Sequence, residues 1–181
     1  MSKIIFGQAS LILCCCFYLI WWYRGYRPGV TVNRVGGING ILLFITAALG
    51  VTGTIMSLRP VEMVREPMLP PHAALIGWVV LYITLLFITR VMFKRIVTTE
   101  LVLITAWTML EITVADTMYA AGGLGREGFL GGCAVIAAAF LISMILYVAY
   151  YRMDENKAFY AAMVPLVTEA ASMAAIVAMA V

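Results

Sequence analysis

The sequence predicts an all-α fold, a polytopic membrane helical bundle of about six transmembrane helices. Three observations carry that reading. Of 181 residues, 64% are hydrophobic and only 12% are charged, and the mean hydropathy is +1.02. Soluble chains carry about 25% charged residues, so this much apolar surface calls for lipid around it. The apolar residues also gather in runs of roughly 20, the length that crosses a bilayer as a helix, and they lack the alternation of a strand. Residues 1–181 therefore read as a single integral membrane domain.

The first run, Ile4–Tyr23, ends in Trp21, Trp22, Tyr23 and Arg24. An aromatic and basic anchor of this kind belongs at a membrane interface. A removable signal peptide would end in small residues instead. Cys14, Cys15 and Cys16 lie in this run and Cys133 in the fifth. Inside apolar runs cysteine serves as a small hydrophobe. The residue before Cys14 is a leucine, and the run continues past it, so a lipid-attachment site is not read there.

The second run is Ile38–Leu58 and the third Ala73–Phe93. Between them, Arg59 to His72 holds Pro60, Pro67, Pro70 and Pro71. Prolines fix φ and remove donors, which makes this connection stiff and non-helical. The fourth run is Glu100–Ala120. The glycine-rich stretch from Gly122 to Gly128 then reads as a flexible outer turn. It lacks the lysine and the preceding strand of a phosphate loop. The fifth run, Leu130–Tyr150, ends beside Tyr151 and Arg152. The sixth, Ala158–Val181, contains Pro165, which removes one helical hydrogen bond and frees the carbonyl of Ala161.

Lys and Arg in short loops orient such a bundle. One side carries Arg24, Arg27, Arg34, Arg90, Lys94, Arg95, Arg152 and Lys157, and the other Lys3, Arg59, Arg65 and Arg126. The first set is therefore placed in the cytoplasm and both termini on the outer side, in the plasma membrane.

Acidic residues inside a span are costly and need a reason. Glu111 in the fourth run and Glu169 in the sixth each follow about 11 residues from the cytoplasmic start, or roughly 17 Å of helix. Both fall near the midplane. Asp116 lies closer to the outer interface. Helical spacing places Glu100, Trp107, Glu111 and Met118 on one stripe with Thr108 beside it. The same spacing aligns Asn39, Thr46, Gly50, Gly53 and Ser57 in the second run, flanked by Thr54. It also aligns Pro165, Glu169 and Ser172 in the sixth, flanked by Thr168. The second, fourth and sixth helices are thus expected to line an interior site, with the others packed around it. Its candidate ligand- or ion-binding residues are Glu111, Glu169, Asp116, Asn39, Thr46, Trp107 and Thr108.

The lone histidine, His72, argues against zinc sites and histidine-based acid–base chemistry. Net charge is +3 and scattered, which argues against nucleic acid. No cofactor is indicated. Alanine lines such as Ala170, Ala174 and Ala178 let helices approach closely, within the chain or between copies of it. Besides the lipid bilayer, the sequence is compatible with three functions. One is a small transporter or permease component for a cation, proton or small solute, using the mid-membrane carboxyls. The second is a non-catalytic subunit that stabilises a membrane partner. The third is a membrane enzyme that modifies lipid.

Overall fold

A computed structural model of the chain describes residues 2–59, 67–94 and 99–180. Pro60, Arg65, Arg95 and Val181 lie outside the described residues, as does the side chain of Glu100. The elements are α1 (Ser2–Tyr26), α2 (Ile38–Leu58), α3 (Pro71–Phe93), α4 (Thr99–Ala120), α5 (Arg126–Ala149), a 3₁₀ turn (Tyr150–Arg152), α6 (Glu155–Ala161) and α7 (Val164–Ala180). Among the described residues, six helical spans are long and apolar enough to cross a membrane, the sixth running from Glu155 to Met179 across α6 and α7. These spans mark an integral membrane protein.

The ends of the helices follow from local chemistry. Pro71 at the first helical position gives up an N–H that has no helical partner there, and α3 starts at it. Gly122 adopts φ +73° after α4. The Gly123 N–H then returns to Met118 O at 2.8 Å and the Gly122 N–H to Tyr119 O at 2.9 Å. This double closure satisfies the last carbonyls of α4. The glycine-rich stretch is therefore half turn and half helix: Gly125 caps α5, and Arg126, Glu127 and Gly128 already belong to it. α5 begins four residues before the apolar run, because a helix can extend its first polar turn out of lipid.

The expected break near Pro165 is present. α6 stops at Ala161, Met163 N–H bonds back only three residues to Tyr160 O at 3.0 Å, and α7 begins at Val164. The sixth span is thus two helices rather than one.

Packing runs α2, α1, α7, α5, α4, α3, with α4 also touching α7 and α2. About two-thirds of the α4 span is buried, the largest share of any, and α1 follows, whereas α2 and α3 are largely uncovered. Here the structure differs from the expectation that even-numbered spans form the interior. The small and polar stripe of α2 divides: Gly53 and Ser57 pack against α1, while Thr46 and Gly50 line a cavity between the helices. Gly7 and Gly53 sit so close that a Cβ on Gly7 would stand 2.5 Å from Ser57 Oγ and 2.9 Å from Gly53 O. Buried Gln8 adds a hydrogen bond from Nε2 to Ser57 Oγ at 3.2 Å. Small residues in membranes serve this kind of backbone approach.

Two apolar clusters flank the middle of the bundle. One joins Ile4, Leu11, Val114, Met118, Ile136 and Met173 of α1, α4, α5 and α7. The other joins Leu101, Ile104 and Tyr147.

Candidate functional site

Glu111 and Glu169 occupy the level between these clusters. Glu111 is completely buried and Glu169 is 3% exposed. The two carboxyls are direct side-chain neighbours across the α4–α7 contact. Ser172, one turn beyond Glu169 on α7, donates its hydroxyl to Glu111 Oε2. Oε1 of each glutamate is buried without a hydrogen-bond partner. Leaving a buried polar atom unmade costs about 1–3 kcal/mol, so two such atoms in one place point to a role beyond packing. α1 also approaches the pair, with the Cys15 thiol close enough to sense both carboxyls.

From Glu169 a cavity of about 450 Å³ runs between α1, α2, α4, α5 and α7. On α1 it is lined by the stripe Leu11, Cys14, Tyr18 and Trp22. That stripe covers about 16 Å at 1.5 Å per residue. The cavity therefore extends from the carboxyl level toward the end of α1 that carries Arg24. Its walls include Trp107 of α4, Tyr147 of α5 and Tyr150 just after it, and Pro165. None of the described residues lining it is Lys, Arg or His.

The remaining sequence candidates have other surroundings. Thr46 lines the cavity, but its hydroxyl donates to Leu42 O at 2.8 Å. Thr108 donates to Ile104 O at 2.8 Å and lies outside the cavity wall. Threonines in helices commonly satisfy themselves this way. Asn39 is buried at the loop between α1 and α2. It accepts from Arg24 Nε at 3.3 Å and donates to Asn33 O at 2.7 Å. Its bonds fasten that loop, which Trp21 Nε1 also holds through Arg34 O at 2.8 Å. Asp116 accepts the backbone N–H of Leu69 and keeps a second oxygen, Oδ1, unpartnered. It stands apart from the glutamate pair, more than a helical turn along α4.

Sequence reasoning missed the aromatic wall from α1 and α5, because a search for polar stripes passes over rings. The spacing of Cys14, Tyr18 and Trp22 at four-residue steps was the available signal. Among the described residues, no group of three His, Cys, Asp or Glu side chains could hold a metal ion. No protein-family model, curated protein or solved structure gives a significant match to this chain.

Proposed function

We propose that the chain is a small membrane carrier for a cation, with Glu111 and Glu169 as the charge that holds the cargo or a proton in its place. The supporting observation is the buried glutamate pair, with unpartnered oxygens, at the inner end of a cavity. Two adjacent carboxylates away from water repel one another, and a proton or cation between them offsets that cost. Such intramembrane acids facing a cavity are the usual parts of ion and proton pathways. In this reading the loops with Arg24, Arg27, Arg34, Lys94 and Arg152 face the cytoplasm, following the excess of basic residues on that side. The cavity then extends inward from the midplane.

The test is reconstitution into liposomes holding a pH-sensitive dye. Gradients of sodium, potassium, methylammonium and a bulky aromatic ammonium would be imposed in turn, and a response to any one of them suffices. Carboxyl-dependent proton movement is expected in the parent protein and lost in the double variant Glu111→Gln, Glu169→Gln. Unchanged movement in a double variant that still purifies as a folded membrane protein rejects the carboxyl mechanism.

A second reading, a subunit that supports a partner protein, draws on α3. That helix packs on α4 and is otherwise almost wholly uncovered. Co-purification of a stoichiometric membrane partner, lost when Val79 and Ile83 are replaced by bulky Trp, would favour it. The lipid-modifying reading has less support, because the described residues of the cavity wall include no basic side chain for a headgroup phosphate.

A further inference from the structure

We infer that the cavity selects a lipophilic organic monocation, a multi-ring ammonium or phosphonium rather than an inorganic ion; the inference rests on the carrier reading above and names its cargo. Size is the first argument. A volume of about 450 Å³ falls within the roughly 300–1,000 Å³ of sites for drug-sized molecules. A proton or a bare metal ion needs no such space. Hard cations are held by several oxygens gathered at one point. Among the described lining residues Glu169 is the charged oxygen ligand, and the threonine oxygens, Thr46 and Thr54, come from a different helix, α2.

The wall is the second argument. It is aliphatic and aromatic, with Tyr18, Trp22, Trp107, Tyr147 and Tyr150 around it. Aromatic faces attract a cation within about 6 Å of the ring centre, most strongly when both are out of water. The same rings bury the hydrocarbon of a large cation. A neutral apolar molecule would gain only that burial.

Charge is the third argument. Among the described residues Glu169 is the one acidic residue in the wall, while Glu111 lies behind it with Ser172 on Oε2. The cavity therefore presents a single carboxylate to its occupant, which matches one positive charge. Among the described residues no cationic side chain in the wall opposes it.

Tetraphenylphosphonium is the probe, measured by equilibrium binding to the purified protein in nanodiscs. Saturable binding is expected, and the neutral analogue triphenylphosphine oxide should bind at least about tenfold more weakly. Glu169→Gln should lose about tenfold or more in phosphonium affinity with no change for the oxide. Trp107→Ala should weaken phosphonium binding, and Trp107→Phe should restore most of it, because Phe keeps a π face. Equal binding of the charged and neutral probes overturns the inference, and that comparison uses only the parent protein. Absence of phosphonium binding also overturns it. If carboxyl-dependent proton movement in liposomes then persists with sodium, potassium or methylammonium, only the cargo class falls. If both assays fail, the carrier reading falls with it.

Discussion

Asp116 of α4 accepts the backbone N–H of Leu69 at 2.8 Å. A buried carboxylate thereby ties the segment just before α3 to the helix on which α3 packs. α3 has little other burial, so this bond matters for where it docks. Asp116→Ala is expected to destabilise the protein by about 1–3 kcal/mol, the range for stranding a buried donor or losing a charge-assisted bond. Asp116→Asn keeps an acceptor oxygen and should cost less. Unfolding in mixed micelles would measure both. Proteolysis of the segment before α3 should rise in the alanine variant, while phosphonium binding stays at the parent level.

The α1–α2 contact makes a second prediction. Gly7→Ala places a methyl against Ser57 Oγ and backbone. It should cost about 1–3 kcal/mol, as overpacking does. Gly132 offers a control, since its added Cβ would meet Met179 Cε at 3.7 Å and Ile176 Cγ1 at 3.9 Å, ordinary contact distances. Gly132→Ala should be neutral or stabilising by up to about 1 kcal/mol through helix propensity. Equal losses from the two substitutions would remove the special status given to the α1–α2 approach.

Pro165→Ala should let the helix run on through 162–163 and raise helicity in circular dichroism slightly. The residues at the break also shape the cavity, since Ala161, Ala162, Pro165 and Leu166 line it. Phosphonium affinity should therefore fall on the order of threefold to tenfold without loss of folded protein.

Protons and an organic cation compete for the same carboxylate. A proton on Glu169 removes the charge that attracts the cation, so affinity should fall as pH falls and recover as pH rises. Glu111 from α4 and Cys15 from α1 stand beside Glu169, Tyr18, Tyr147 and Tyr150 line the same cavity, and none of its described lining residues is Lys, Arg or His. Glu169→Gln should flatten the pH profile. A profile of opposite slope, or one unchanged by that substitution, would refute the competition.

Much of this was legible in the sequence where chemistry is periodic. The spans are visible because lipid demands length and apolarity together. The depth of Glu111 and Glu169 follows from a rise of about 1.5 Å per residue, and the structure brings these two side chains together. The α6–α7 break is carried by one residue, Pro165. Other features depend on which helices become neighbours, and no single helix encodes that. The stripe of α2 was equally compatible with a central site and with a close fit to α1, and its residues divide between the two: Gly53 and Ser57 meet Gly7, while Thr46 and Gly50 line the cavity. Gln8 stands alone in an apolar run, so its partner Ser57, 49 residues on, could not be read. The rings of Tyr18 and Trp22 resemble interface anchors until α5 and α7 stand opposite them.

The Glu111–Ser172 bond joins residues 61 positions apart. During synthesis α4 therefore leaves the ribosome well before the segment that answers its carboxyl exists. Until α7 arrives, the acid has no mate of its own in the chain. An unfinished polypeptide ending after α5 holds Glu111 without the Ser172 hydroxyl and without Glu169 beside it, at the cost of an unanswered polar group in lipid. α7 thus completes the surroundings of a side chain that α4 brought into the membrane earlier.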